Sequence, residues 1–183
     1  MASSPLFLIA FAFDTAWSIG ICLILLAVFE FTDFYDGRLA REKNLITDFG
    51  KLMDPFADSI SRFTIFLCFL SADLAPVWII AVFFYRDVFV AILRVFAIRE
   101  NVVVSARPSG KLKAMFQAGS TAPILIIYFL QKISVLPEPL YLIGHIKLAT
   151  VLIGIAALVT LYSGIDYWNA NKHILLKSLH DKH

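Results

Sequence analysis

Long apolar stretches recur along this chain and constrain its fold more than any other feature of its sequence. Hydrophobic residues make up 60% of the 183 residues and charged residues only 16%, against about 25% charged in a typical soluble domain. A water-soluble fold of this size could not bury that much apolar surface in one core. Only helices and closed barrels span a bilayer, because unpaired backbone groups are costly in lipid. We therefore expect an all-α integral membrane protein with a single domain over residues 1–183.

Charged and turn-forming residues divide the chain into six apolar segments. The segments cover approximately residues 1–13, 17 to the polar stretch at 33–41, 49–70, 77–98, 113–133 and 146–167, followed by a polar tail. The first segment is shorter than the roughly 20 residues that a bilayer span needs, so the first helix is either partial or has lost its start. No basic stretch precedes it, which argues against a removable signal peptide. The prediction is six transmembrane helices, the first shorter than a full span.

Basic residues are concentrated on one side of this predicted topology. Six spans place both termini on the same side, and 12 of the 16 Lys and Arg residues fall there, near the ends of spans two and four and in the tail. By the positive-inside rule, that side of the inner (cytoplasmic) membrane faces the cytoplasm. A site on that side would use cytoplasmic substrates.

The two cysteines, Cys22 and Cys68, both lie inside apolar runs. This position predicts ordinary packing residues instead of a disulfide or metal ligands. The four histidines are scattered along the chain or lie in the polar tail, and their spacing does not predict a metal site either.

Four aspartates stand where the second and third apolar segments approach the cytoplasmic side: Asp33, Asp36, Asp54 and Asp58. Carboxylates in or near hydrocarbon are costly, and they are usually functional and partnered. The members of each pair are three or four positions apart, so they share one helix face. Two converging acidic faces repel each other unless cations hold them together. Oxygen ligands without Cys or His select Mg²⁺, Mn²⁺ or Ca²⁺, so the pattern predicts a divalent-metal site.

Small residues accompany these aspartates at helical spacing, at Gly37, Ala40 and Gly50. They leave space beside the acidic face, although small residues also serve helix packing in membranes. Residues 33–58 as a whole read Asp33-Phe-Tyr-Asp36-Gly37-Arg-Leu-Ala40-Arg41, followed at fixed spacing by Gly50, Asp54 and Asp58. This segment resembles, without a mismatch, the DxxDGxxARx8GxxxDxxxD motif of the CDP-alcohol phosphatidyltransferases.

The resemblance implies a homodimeric membrane enzyme with six transmembrane helices. Such an enzyme transfers a phosphatidyl group from CDP-diacylglycerol to an alcohol and releases CMP. The resemblance further implies that Mg²⁺ or Mn²⁺ is bound by Asp33, Asp36, Asp54 and Asp58, and that Asp58 is also the general base for the attacking alcohol. The implied CDP-binding residues are Asp33, Gly37, Ala40, Arg41 and Gly50.

Four basic residues indicate the chemistry of the acceptor alcohol: Arg86, Arg94, Lys111 and Lys113. Cations able to surround an acidic site favour an anionic acceptor such as a phosphate. Alternatively, Arg86 could pair with Asp87, and the two lysines could anchor the next helix at the lipid headgroups. Residues 86–117 resemble the branch of the family whose acceptor is sn-glycerol 3-phosphate and whose product is phosphatidylglycerol phosphate.

Two alternative functions stay open. Within the same family, the acceptor could be inositol phosphate, serine or phosphatidylglycerol, and inositol phosphate is the nearest competitor because it is also a phosphomonoester. In a different class, the acidic cluster could belong to a small cation transporter. A transporter would spread polar residues through the membrane thickness, whereas these aspartates cluster at one end of two helices. We expect no nucleic-acid partner.

Overall fold

The computed structural model describes residues 3–42, 48–99, 104, 107–137, 140–143 and 146–180. Within these ranges it describes every side chain except those of residues 3, 33–34, 36–42, 48–57, 98–99, 142–143 and 174–180.

Six helices account for most of the described chain. They are α1 (Ser3–Ala12), α2 (Ala16–Glu42), α3 (Asp48–Ser71), α4 (Val77–Arg99), α5 (Pro108–Lys132) and α6 (Leu148–His180). Between α5 and α6, β1 (Tyr141–Ile143) and β2 (Ile146–Lys147) form an antiparallel ribbon. Each apolar segment of the sequence corresponds to one helix, so the prediction of a mostly helical protein is confirmed.

Two predicted helix boundaries are wrong. α5 begins at Pro108 and not near Lys113, because proline suits the first turn of a helix, where its missing N–H leaves no bond unmade. α6 continues to His180, so most of the predicted polar tail is helical. Residues 168–180 contain no Gly or Pro, and polar side chains alone do not end a helix. The ribbon was not predicted, since strands of two or three residues carry no readable alternation.

A continuous apolar core connects the helices. α1 packs on α2 and α3, α4 packs on α3 and α6, and α5 packs on α2 and α6. Each helix contributes at least one side chain with no exposed surface: Phe7, Ile19, Phe69, Ile79, Ile124 and Ile153. This packing fixes the positions of the polar side chains described below.

Polar contacts between turns show which helix ends meet. Asp14, in the α1–α2 turn, accepts hydrogen bonds from Tyr128 and Lys132 near the end of α5. Asp73, in the α3–α4 turn, pairs with Lys147, which immediately precedes α6. Asp73, Tyr128 and Lys147 line one cavity of about 320 Å³, so these turns lie at the same end of the bundle. The second half of α2, the first turns of α3 and α5, and the end of α6 therefore lie towards the other end.

The outer surface of the helices is strongly apolar. Among the described residues, two stretches are long and apolar enough to cross a membrane, namely Pro108–Lys132 and Leu148–His173. Large side chains such as Trp17, Met115 and Leu158 are more than two thirds exposed. Exposed apolar surface of this extent is suited to contact with lipid.

The structure confirms the packing role predicted for both cysteines and generates a labelling prediction. Cys22 and Cys68 are free thiols with 0% and 1% exposed surface. We expect a maleimide to label neither thiol in the folded, detergent-solubilised protein, because the reagent cannot reach them. After denaturation in SDS, mass spectrometry should find both thiols labelled. Labelling of the folded protein as rapid as that of the denatured protein would contradict the described packing of α2 and α3.

Candidate functional site

The two predicted acidic pairs lie on consecutive helices. Asp33 and Asp36 lie on α2, and Asp54 and Asp58 lie on α3, so each pair keeps the spacing that places its members on one helix face. α2 ends at Glu42 and α3 begins at Asp48. Both pairs therefore lie towards the end of the bundle where α5 begins.

Most side chains of the predicted metal and nucleotide sites lie outside the described residues. These are the side chains of Asp33, Asp36, Ala40, Arg41 and Asp54, together with the positions Gly37 and Gly50. Among the described side chains, no group of three or more His, Cys, Asp or Glu residues could hold a metal ion. Three of the four predicted ligands fall outside that set, so the metal site stays a prediction.

Asp58 is the one predicted metal ligand whose side chain is described. Its carboxylate is 52% exposed and pairs with Arg62, one turn later on α3, with 3.5 Å between Oδ2 and Nη2. Arg62 also donates a hydrogen bond from Nη1 to the backbone oxygen of Ala114 in α5, at 3.3 Å. A long, partly exposed ion pair of this kind adds little stability, and it leaves the carboxylate accessible. Arg62 thus connects the acidic end of α3 with the first turns of α5.

Arg86, Asp87 and Lys113 form a largely buried ion cluster between α4 and α5. Lys113 donates from Nζ to both carboxylate oxygens of Asp87, at 2.7 and 2.8 Å, and Arg86 donates from Nη1 to Oδ1 at 3.0 Å. The side chains of Lys113, Arg86 and Asp87 are 6%, 11% and 19% exposed. Two cations share one carboxylate, so the cluster keeps a net positive charge that can attract an anion in its weakly screened surroundings.

α6 supplies the remaining contacts of Arg86. Nη2 of Arg86 donates to Oγ of Ser163 at 2.7 Å, and the guanidinium carbon lies 5.1 Å from the centre of the Tyr167 ring. Nε of Arg86 is buried without a hydrogen-bond partner among the described residues. The orientation of this guanidinium is therefore set by α6 as well as by its neighbour Asp87.

A second ion pair connects the start of α5 to α6. Arg107 donates from Nε and Nη2 to the two carboxylate oxygens of Asp166, at 2.6 and 2.7 Å. Ser109 donates to the same carboxylate at 2.5 Å. The backbone N–H of Arg107 donates to the Tyr167 hydroxyl at 3.1 Å. The carboxylate of Asp166 holds the pKa of the Arg107 guanidinium above its usual value.

The four predicted acceptor-binding residues thus have different surroundings. Arg86 and Lys113 are brought together through Asp87, so the pairing of Arg86 with Asp87 that the sequence left open is present. Lys113 is buried, and the alternative that it anchors α5 at the lipid headgroups is wrong. Arg94 is half-buried on α4 and Lys111 is exposed on α5, and neither forms an ion pair with another described side chain. A phosphate-binding role for the four residues stays a prediction.

Sequence reasoning missed the contribution of α6. Thr160, Ser163 and Tyr167 are 0%, 0% and 2% exposed, and with Gly164 they recur at the spacing of one helix face in a largely apolar helix. Polar residues inside a membrane helix usually face the protein interior and have named partners. The spacing of these four residues could be recognised in the sequence, but the residues that they contact could not.

Comparisons with known proteins agree with the motif at residues 33–58. A profile of the CDP-alcohol phosphatidyltransferase family matches residues 1–168. The chain is 36% identical over 110 residues to a CDP-diacylglycerol–glycerol-3-phosphate 3-phosphatidyltransferase of Treponema pallidum, in a match that covers 60% of this chain and 51% of that protein. The enzyme of the same name from Bacillus subtilis is 30% identical over 155 residues, which is 85% of this chain and 75% of that protein. The Rickettsia felis enzyme of that name is 27% identical over 175 residues, or 92% and 88% of the two chains.

Helical fold, polar cluster and intact motif together define a membrane-bound transferase of the type that uses CDP-activated alcohols. This chain belongs to the CDP-alcohol phosphatidyltransferase family.

The buried ion cluster yields a stability prediction. Replacing Asp87 by Ala leaves Arg86 and Lys113 buried without their shared counter-ion, so the free energy of unfolding should fall by about 3–5 kcal/mol. The matched control is Asp73→Asn, because that carboxylate also pairs with a lysine but is 90% exposed, so its loss should cost about 0–1 kcal/mol, and asparagine tolerates the positive φ at this position. SDS titration in mixed micelles, followed by circular dichroism, measures both values. Equal losses in the two variants would contradict the role of Asp87 as buried counter-ion.

Proposed function

We propose that this chain transfers the phosphatidyl group of CDP-diacylglycerol to sn-glycerol 3-phosphate and produces phosphatidylglycerol phosphate and CMP. The observation that carries the proposal is the intact motif at residues 33–58, whose last aspartate lies beside Arg62 and so next to the start of α5. The similar proteins from three bacteria are named for the same transfer, which supports the choice of acceptor.

The metal proposed for this site is Mg²⁺ or Mn²⁺, held by Asp33, Asp36, Asp54 and Asp58. The fit of these residues rests on their chemistry: four carboxylates on two helices form an all-oxygen donor set, which hard divalent cations prefer. When bound, the ion supplies positive charge that neutralises the diphosphate and the leaving CMP.

The CDP moiety is proposed to bind along the same helix faces, at Asp33, Gly37, Ala40, Arg41 and Gly50. These positions follow each other at helical spacing on α2 and in the first turn of α3. Glycine and alanine leave room for a nucleotide close to the backbone, and an arginine is suited to a phosphate.

Asp58 is proposed as the general base. Its half-exposed carboxylate can accept the proton of the acceptor's hydroxyl group. The freed oxygen then forms a bond to the lipid-side phosphorus, the bond from that phosphorus to CMP breaks, and the proton stays on Asp58. Arg62, on the same helix, holds the carboxylate close to α5.

The acceptor's phosphate is proposed to bind at Arg86, Lys113, Arg94 and Lys111. The buried cluster around Asp87 keeps a net positive charge, and arginine and lysine are the usual partners of phosphate in proteins. This charge favours glycerol 3-phosphate and inositol phosphate over serine, which has no phosphate. Inositol phosphate is therefore the second candidate acceptor.

For the whole protein we propose six transmembrane helices, a homodimer, and a site that faces the cytoplasm from the inner membrane. The apolar outer surface supports the membrane location. The basic residues near the start of α5 and the end of α4 support the orientation, by the positive-inside rule.

The acceptor proposal predicts which compounds release CMP. Purified protein in micelles with CDP-diacylglycerol and Mg²⁺ or Mn²⁺ should release CMP with glycerol 3-phosphate. Glycerol has the same hydroxyl groups without the phosphate and should give at least about 100-fold less at equal concentration, because the cationic cluster then has no anion to bind.

Controls for this measurement separate the acceptors and the metal. Inositol phosphate, serine and phosphatidylglycerol are offered one at a time, and EDTA should stop release with every acceptor. Release with one of these three but not with glycerol 3-phosphate would keep the family and contradict the acceptor proposed here.

The role proposed for Asp58 predicts the effect of removing its basicity. Asp58→Asn keeps the shape of the side chain but cannot accept the hydroxyl proton, so kcat should fall about 100- to 10,000-fold. The matched control is Asp73→Asn, an exposed aspartate at the opposite end of the bundle, whose kcat should equal that of the wild type. Wild-type kcat in a folded Asp58→Asn variant would overturn the assignment.

A further inference from the structure

The buried guanidinium of Arg86 needs fixed partners, and most of them lie on α6 and not on its own helix. Nη2 of Arg86 donates a hydrogen bond to Oγ of Ser163 at 2.7 Å, and Nη1 donates one to Oδ1 of Asp87 at 3.0 Å. The Tyr167 ring lies against the face of the guanidinium, with 5.1 Å between the guanidinium carbon and the ring centre. A planar cation held along two edges and one face has little freedom to turn. A carbon atom added at Gly164 would lie 3.4 Å from Cγ of Arg86, so this part of α6 runs directly beside the Arg86 side chain.

Tyr167 also contacts the start of α5. Its hydroxyl accepts a hydrogen bond from the backbone N–H of Arg107 at 3.1 Å. A Cβ atom at Gly110 would lie only 3.0 Å from the same hydroxyl, so the first turn of α5 rests directly on this ring. Lys113 follows Gly110 by one helical turn. Tyr167 therefore sets the separation between Arg86 on α4 and the part of α5 that carries Lys113.

Asp166 fixes the direction in which α5 begins. Arg107, which precedes the helix, makes no hydrogen bond from its side chain to the helix N-terminus. Instead, Asp166 of α6 accepts hydrogen bonds from the side chains of Arg107 and Ser109, at 2.5 to 2.7 Å. A carboxylate beside the first turn also interacts favourably with the helix dipole. The N-terminus of α5 has no side-chain cap from Arg107, and Asp166 of α6 stabilises it instead.

From these contacts we infer that Ser163, Asp166 and Tyr167 are positioning residues of the acceptor site. They form one turn of α6, and this turn fixes Arg86 directly and, through the first turn of α5, fixes Lys113, so that both cations stay in the cluster proposed to bind the phosphate. The inference rests on the proposed function and extends it to a helix outside the motif. These three side chains are thus expected to raise the affinity for the acceptor without contacting it.

A role in helix packing alone makes a different prediction. If the turn only holds the helices together, its variants lose folded protein or kcat, while the KM values for both substrates stay unchanged. If the turn positions the two cations, its variants raise the KM for the phosphate acceptor and leave the KM for CDP-diacylglycerol unchanged, because the proposed CDP-binding residues lie on α2 and α3.

The experiment compares Ser163→Ala, Asp166→Asn and Tyr167→Phe in the full chain in micelles, with CMP release measured against each substrate in turn. Tyr167→Phe keeps the ring on Arg86 and removes the bond to Arg107. The KM for glycerol 3-phosphate should rise roughly three- to tenfold in each variant, with less than about a twofold change for CDP-diacylglycerol. Tyr162→Phe is the matched control, since Tyr162 is on the same helix but 60% exposed, and it should match the wild type.

Each result of this experiment decides the question. A selective rise in the acceptor KM in the variants, with the control unchanged, supports the inference. Unchanged acceptor KM in folded variants, or failure of all three to fold, assigns the turn to packing and overturns the inference while the proposed function stands. A wild-type protein that releases no CMP with glycerol 3-phosphate overturns the proposed function, and the inference with it.

Discussion

The contact on which the polar half of this structure depends is the sharing of one buried carboxylate by two buried cations. Arg86 and Lys113 lie in a bundle with an apolar exterior, where an uncompensated charge is strongly unfavourable. Asp87 pairs with both cations at 2.7 to 3.0 Å, and Ser163 of α6 accepts a hydrogen bond from Nη2 of Arg86. The packing of α4, α5 and α6 at this end follows from the need to surround these charges with polar partners.

This arrangement gives the two ends of the bundle different properties. At one end, Asp14 and Asp73 connect turns to neighbouring segments through partly exposed lysines. At the other end, Asp58 of α3 is connected through Arg62 to the backbone of Ala114, the residue that follows Lys113 of the cluster with net positive charge. This distribution of charge suits the reaction proposed above, in which the phosphatidyl group passes from the CDP-activated lipid to a phosphate-bearing alcohol and CMP leaves.

Much of the candidate site was predictable because its spacing is local. A pair of residues three or four positions apart must share a helix face, so Asp54 and Asp58 could be assigned to one face without a structure. The contacts that hold the cations are not local. Asp87 and Lys113 are 26 positions apart, Arg107 and Asp166 are 59 apart, and Arg86 and Ser163 are 77 apart. No periodicity in the sequence connects residues at such distances.

The sequence by itself determined the helical class, the apolar segments that form the six described helices, and the place of the acidic motif. The length of an apolar run and the spacing of polar residues are properties of neighbouring residues. It misjudged the start of α5 and the end of α6, where a single proline and the absence of helix breakers outweighed hydropathy. Only the tertiary structure decided which cation meets which carboxylate and that α6 takes part in the site. Those pairings depend on how helices pack, and packing is settled by the shape and charge of the whole bundle at once.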